Sequence, residues 1–177
     1  FLGCIIVSEA KAQNQEELFA KANELYNQNA YDSAARVYEN IINKGYSSAE
    51  LYYNLGNTYY KLRNYPMSIY YYEKSLKQDA DNITSLNGLG YVLACEEKDL
   101  TKALSLCKKA VKSAPKSAAC LDSLGWVYYK MGLYDDAKHY LEQAEQLDKD
   151  NIEIAKHIKE VEKAKRCADS CSFISAA

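Results

Sequence analysis

The chain has 177 residues, 48% of them hydrophobic, and its 22 Lys and Arg nearly balance 24 Asp and Glu, for a net charge of -2. This length and apolar content suffice for a buried core, and the near-neutral charge argues against nucleic acid as a partner. The sequence contains no apolar stretch of about 18 residues or more, which excludes an ordinary membrane-spanning helix within it. With only 7 Gly and 2 Pro, long uninterrupted helices are favoured.

Residues 1–14 begin with an apolar run, Phe1 to Val7, which is followed by Ala10-Lys11-Ala12. The small-x-small form of that tripeptide is typical of a signal-peptidase site. The segment therefore predicts either a residual signal peptide, with the protein exported to the periplasm or cell envelope, or an N-terminal arm packed on the first helix. A cytoplasmic location is the alternative. Lipidation of Cys4 is disfavoured because Leu2 stands where a small residue is usual.

A repeat of about 34 residues follows, which is the period of paired-helix solenoids. The segment LYYNLGNTYYKLRNYPMSIYYYEKSLKQDADN (51–82) returns as CLDSLGWVYYKMGLYDDAKHYLEQAEQLDKDN (120–151), with one copy between them and one before. The copies align on the small residues Ala22, Gly56, Gly90 and Gly125, and the extra residue of the third copy falls near Glu96 to Leu100. The predicted repeats are 15–48, 49–82, 83–117 and 118–151.

Each repeat contains two amphipathic stretches in which apolar residues recur at steps of three and four, so each predicts a helical hairpin. Asn64 and Pro66 mark the turn of the second hairpin, since Pro is tolerated in the first turn of a helix. Small residues allow the paired helices to approach closely. The predicted facing pairs are Ala22 with Ala34, Gly56 with Ser68, Gly90 with Ala103, and Gly125 with Ala137.

Beyond Asn151, residues 152–166 predict one more amphipathic helix, with Ile154, Ile158 and Val161 on one face. A solenoid ends in an element that buries its last apolar face, so this helix is expected to act as a cap. Residues 167–177 are small and polar and predict a flexible tail.

The pattern resembles the tetratricopeptide repeat (TPR) family, whose recurring positions are matched by Tyr52, Leu55-Gly56, Tyr59, Ser68, Tyr72 and Ser75. The resemblance implies an all-α fold: a right-handed α-α superhelix of four helical hairpins plus a C-terminal capping helix. It also implies a non-catalytic scaffold that binds another protein or a peptide. The first half, with ANELY at 22–26 and LYYNLGNTYYKL at 51–62, is similar to the TPR proteins of the Bacteroides aerotolerance cluster, which are exported to the envelope.

In the superhelix that the resemblance implies, the first helix of each hairpin lines a concave surface. Its non-packing side chains are then the candidate contacts for a bound segment, and aromatic and amide groups suit that role. Trp126 stands out because its position is usually small or polar in the family. For the Tyr residues, packing within the fold is the alternative. The candidates are Phe19, Asn23, Tyr26, Tyr53, Asn57, Tyr60, Asn87, Tyr91, Asp122, Trp126 and Tyr129.

The carboxylate clamp of chaperone-binding TPR proteins is disfavoured, although Asn23 and Asn54 match it. Its first Lys falls on Phe19, and its cations in the third repeat fall on Thr84 and Gly88. A bound carboxylate would therefore lack charged partners.

Thiol or metal chemistry is the alternative from a different class, because the chain has six Cys. Cys107, however, occupies a position that is normally aromatic and buried, so it is predicted to be a small core residue. His139 and His157 are predicted on solvated helix faces, and no CxxC motif occurs. A disulfide stays open if the protein is exported. Neither a cofactor nor a metal is expected.

No phosphate-binding loop or nucleophile motif is present, so the chain is not expected to be an enzyme. The predicted function is protein–protein interaction, with a cytoplasmic adaptor as the alternative to an envelope scaffold.

Overall fold

The computed structural model describes the backbone of residues 2–175 and the side chains of residues 13–170. Residues 2–175 form nine α-helices and no strand. The helices are α1 (Leu2–Asn27), α2 (Tyr31–Asn43), α3 (Ala49–Lys61), α4 (Tyr65–Gln78), α5 (Ile83–Cys95), α6 (Leu100–Ser113), α7 (Ala118–Lys130), α8 (Tyr134–Leu147) and α9 (Ile152–Ser175). Helices α3, α5 and α7 begin at the first residues of the second, third and fourth predicted repeats. None of the helices, over the described residues, is long and apolar enough to cross a membrane.

The chain divides into two compact units, Phe1–Ser85 and Leu86–Ala177. In the first unit α1 pairs with α2, α3 pairs with α4, and α2 packs against α3. Its core contains Ala22, Ala34, Tyr38, Ile41 and Leu55. In the second unit α7 pairs with α8, and α6 and α9 pack against that hairpin. Both units therefore use the helical hairpin as their building block.

Short polar residues begin several of these helices. The side-chain oxygens of Ser48, Asn64, Asp99 and Ser117 each accept a hydrogen bond from the backbone N–H three residues on, at 3.0 to 3.3 Å. Such caps satisfy an amide that has no partner within the helix. Pro66 lies in the first turn of α4, as the sequence predicts.

The turn inside each hairpin contains a residue in the left-handed conformation. These residues are Asn29, Arg63, Glu97 and Gly132, with φ between 51° and 76°. The turn between α5 and α6 runs from Glu96 to Asp99 and is one residue longer than the others. The extra residue of the third repeat therefore lies where the sequence predicts it.

The glycines of the first helices lie at close helix crossings. A Cβ at Gly90 would lie 2.4 Å from the Cys107 sulfur, and one at Gly125 would lie 2.7 Å from Cγ of Leu141. The carbonyl oxygens of Ala103 and Ala137 are 3.1 and 3.0 Å from the same two positions, which confirms these facing pairs. At Gly56 the ring of Tyr72, not Ser68, is the nearest group.

Helix extends beyond the predicted repeats at both ends of the chain. Helix α1 begins at Leu2 and runs through the segment predicted as a signal remnant or arm, whose side chains lie outside the described residues. Helix α9 continues to Ser175 instead of ending at Arg166, so the predicted flexible tail is helical to that point. The sequence after Asn151 contains neither Gly nor Pro, and nothing there breaks a helix once it has begun.

Candidate protein-interaction site

A pocket of about 350 Å³ lies in the first unit between the first helices of two hairpins, α1 and α3. Four amide side chains, two phenols and one carboxylate form its walls, and no Lys or Arg is among them. Its lining residues are Asn23, Tyr26, Asn27, Tyr38, Glu50, Asn54 and Asn57.

Two of the amides are fixed by tyrosines of the second helices. The Tyr38 hydroxyl donates to Oδ1 of Asn23, and the Tyr72 hydroxyl donates to Oδ1 of Asn57, both at 2.5 Å. Nδ2 of Asn54 also donates to Asn23 Oδ1, at 3.3 Å. Because these oxygens are used as acceptors within the fold, the Nδ2 groups of Asn23 and Asn57 are oriented as donors.

The phenols of the pocket stay protonated well above neutral pH. Burial raises the pKa of Tyr26 to about 12, and the neighbouring Tyr31, Tyr53 and Tyr60 add to the shift. Burial also raises the pKa of Tyr38 to about 12, with smaller contributions from Tyr26 and Glu50. Both phenols are therefore neutral hydrogen-bonding groups.

Of the predicted contacts in the first unit, Asn23, Tyr26 and Asn57 line the pocket. The other three pack on neighbouring rings at centroid distances of 5.9 to 6.1 Å: Phe19 on Tyr38, Tyr53 on Tyr72, and Tyr60 on Tyr65.

Four residues of the lining are absent from the sequence-derived candidates: Asn27, Tyr38, Glu50 and Asn54. For Tyr38 a signal was available, because Tyr38 follows Ala22 at the same spacing at which Tyr72 follows Gly56. Glu50 in the first turn of α3 is indistinguishable, in sequence alone, from a carboxylate placed to stabilise a helix N-terminus.

The second unit uses its candidate residues differently. Trp126 is only 8% exposed, and its ring is stacked on that of His157 with the centroids 4.2 Å apart. Nδ1 of His157 lies 2.7 Å from Oδ1 of Asp122, and His157 itself is 6% exposed. The predictions that Trp126 is a non-packing groove residue and that His157 is solvated are therefore wrong. Helix α9 lies against both α8 and α7, so it covers this face. His139 is exposed, as predicted.

Two of the remaining candidates of the second unit, Tyr91 and Tyr129, lie beside this contact. The ring centroids of Tyr91 and His157 are 6.1 Å apart, and those of Tyr129 and Trp126 are 4.8 Å apart. Asn87 has a buried Oδ1 with no hydrogen-bond partner among the described residues. Lys130 lies over the Trp126 ring at 5.4 Å and pairs with Glu97 at 2.9 Å. Tyr91, Tyr129 and Lys130 therefore pack beside the Trp126–His157 contact.

The two units carry side chains of different size at one position of the first helix and one position of the second helix of a hairpin. In the first unit the residue after the small residue of the first helix is Asn23 or Asn57, and it meets a tyrosine of the second helix. The second unit has Tyr91 or Trp126 at the equivalent first-helix position, and the side chains of Cys107 and Leu141 lie against the small residue. A large side chain on one helix thus accompanies a smaller one on the other. Cys107 is buried, which confirms its prediction as a core residue.

Four cysteines lie among the described side chains. Cys95, Cys107, Cys120 and Cys167 are free thiols there, and no three His, Cys, Asp or Glu of that part cluster as metal ligands. Burial raises the pKa of Cys107 to about 12, which makes it a poor nucleophile. Cys4 and Cys171 lie outside the described side chains.

Comparisons with known proteins agree with this architecture. Family models described as tetratricopeptide repeat match residues 49–82 and 81–150. The TPR repeat-containing protein PA4667 of Pseudomonas aeruginosa is 42% identical over 92 residues, which are 50% of this chain and 15% of that protein. The chain spans between 15% and 26% of the length of the curated relatives it matches.

Solved structures share the fold. The thermophilic TPR protein TTC0263 of Thermus thermophilus is similar with a TM-score of 0.71 and 24% identity, over 83% of this chain and 80% of that chain. The first TPR of Spaghetti (RPAP3), solved bound to an HSP90 peptide, is similar with a TM-score of 0.59 and 21% identity, over 67% and 94% of the two chains. The finer likeness to the aerotolerance-cluster proteins stays a prediction. Because the two family models together span residues 49–150, more than half of the sequence, this chain belongs to the tetratricopeptide repeat family.

Proposed function

We propose that this chain is a non-catalytic protein-interaction scaffold that binds an extended segment of another protein in the pocket between α1 and α3. The observation that carries the proposal is the fixing of Asn23 and Asn57 by the phenols of Tyr38 and Tyr72. Amide donors held in place before binding reduce the entropy lost when a ligand is bound.

An extended peptide suits this pocket because its backbone presents carbonyl oxygens and N–H groups at regular intervals. The Nδ2 groups of Asn23 and Asn57 can donate to such carbonyls. The ring of Tyr26 supplies apolar contact area at a low cost in side-chain entropy. The family supports the same role, since one similar TPR structure was solved with a bound peptide.

The test is a selection from a phage-displayed library of random linear peptides on the immobilised chain, followed by affinity measurement for the enriched peptides. Asn27 is exposed and lines the pocket, so Asn27→Arg places a long side chain at its mouth and should weaken binding by about tenfold or more. Gln28→Arg is the matched control, because Gln28 is exposed and lies outside the lining. Equal affinity of both variants for every selected peptide would refute binding in this pocket.

We also propose the bacterial cell envelope as the place where this scaffold acts, with the apolar run Phe1 to Val7 and the Ala10-Lys11-Ala12 tripeptide as support. The experiment is fractionation of cells that express the full-length gene. A soluble cytoplasmic pool of uncleaved protein would contradict export and favour the adaptor alternative.

A further inference from the structure

We infer that the pocket of the first unit is built to receive a positively charged side chain, Lys or Arg, of the bound partner. The inference rests on the proposed function, because it specifies which residue of the bound segment enters the pocket. Such a pocket would have the opposite charge preference to a carboxylate-binding site.

The charges of the lining carry the inference. Glu50 is exposed in the first turn of α3, lines the pocket, and makes no ion pair with a residue of the described part of the chain. None of the lining residues is basic. The single basic residue of α3, Lys61, lies over the ring of Tyr60 at 5.8 Å and is not part of the lining. An entering cation would therefore meet a carboxylate with no competing positive charge in the pocket.

Acceptor oxygens and aromatic rings complete the match. Asn27 and Asn54 carry amide oxygens in the lining, and the phenol oxygens of Tyr26 and Tyr38 are neutral acceptors. A guanidinium presents five N–H donors and no acceptor, so it can use such a wall more fully than a neutral side chain can. The partly exposed ring of Tyr26 adds a cation–π surface.

If Glu50 served only to stabilise helix α3, the experimental result would be different. A carboxylate in the first turn stabilises a helix through the helix dipole. Such a role would change the stability of the protein upon Glu50→Gln and would leave peptide selectivity unchanged.

The experiment uses the full chain and the phage-displayed peptides selected as described above. Lys and Arg should be enriched at one position of the selected peptides. In a synthetic peptide from that set, replacing this basic residue by Gln should weaken binding to the wild-type chain by about tenfold, as loss of a charge-assisted hydrogen bond does. Binding to Glu50→Gln should change less than about twofold upon the same replacement, because the partner charge is already gone.

Glu24→Gln is the matched control. Glu24 is an exposed acid of α1 outside the lining, and its variant should keep the full tenfold difference between the two peptides. If the selected peptides show no enrichment of basic residues but still lose binding to Asn27→Arg, the cation inference is refuted and the peptide-binding function stands. Peptides unaffected by Asn27→Arg would overturn both. If Glu50→Gln and Glu24→Gln lose the affinity difference between the two peptides to the same extent, the effect is one of net charge and the inference is refuted.

Discussion

The indole of Trp126 on α7 is stacked on the imidazole of His157 on α9, with the ring centroids 4.2 Å apart and the ring planes inclined by 28°. Asp122, one turn before Trp126, holds the imidazole through Nδ1 at 2.7 Å. Three polar or amphipathic side chains therefore join the terminal helix to the last hairpin.

Truncation at this contact should destabilise the second unit. We expect Trp126→Ala to lower the free energy of unfolding by about 3–5 kcal/mol, as loss of a buried aromatic does. A double-mutant cycle with His157→Ala, measured by urea unfolding, should give a coupling of about 0.5–1.5 kcal/mol. His139→Ala, at an exposed histidine of the same unit, should stay within about 0.5 kcal/mol of wild type. Additive losses at Trp126 and His157 would contradict the stacking.

Alkaline pH should unfold the chain through its buried phenols. The folded-state pKa values of Tyr26 and Tyr38 are raised to about 12, above the ordinary value of about 10. Folding thus favours the protonated form, so this stabilisation is complete below pH 10 and is lost as the pH rises toward 12. Tyr72 is shifted in the same direction.

The measurement is the free energy of unfolding by urea at several pH values between 9 and 12. Wild type should lose stability steadily above pH 10, and Tyr26→Phe should decline less steeply because it cannot ionise. A flat profile for wild type would be inconsistent with the raised pKa values.

The turn between α3 and α4 should tolerate glycine better than its own residue. Arg63 is exposed and has a φ of 58°, whereas Gly132 occupies the same place in the turn between α7 and α8. Because only glycine adopts this conformation without strain, Arg63→Gly should raise the free energy of unfolding by about 0.5–1 kcal/mol. Arg63→Ala keeps the strain and should give no gain. A lower melting temperature for Arg63→Gly would refute the prediction.

The crossing of α5 and α6 should be intolerant of a single methyl group. A Cβ at Gly90 would lie 2.4 Å from the Cys107 sulfur, so Gly90→Ala should destabilise by about 1–3 kcal/mol. In a Cys107→Ala background the same change should be less costly, although the Ala103 carbonyl oxygen at 3.1 Å keeps part of the penalty. Equal costs in the two backgrounds, measured by thermal unfolding, would show that the sulfur is not the obstacle.

Local pattern was sufficient to predict the hairpins. Small residues such as Gly125 recur with the repeat, and the caps Ser48 and Ser117 stand immediately before the helices they begin. The side-chain sites could not be predicted in the same way. His157 lies among Lys156, Lys159 and Glu160, so its sequence neighbours indicate a solvated face.

The burial of His157 depends on Trp126, a residue distant from it in sequence. The place of Glu50 in the pocket could not be predicted for the same reason. It depends on the positions of Asn23 on α1 and Tyr38 on α2. Helix periodicity indicates which side of a helix is apolar, but it does not indicate which polar groups of other helices face it.

The first unit has Asn23 and Tyr38 at the positions where the second unit has Trp126 and Leu141. This difference limits how helices can be exchanged between the two units. Although the hairpins share one backbone plan, a first helix transplanted alone from the second unit into the first would remove the asparagine whose side-chain oxygen accepts the hydrogen bond of the Tyr38 or Tyr72 hydroxyl. The reciprocal graft would place an asparagine opposite a leucine, with no hydroxyl to hold it. The whole hairpin is therefore the smallest unit that keeps each of these side-chain pairs together.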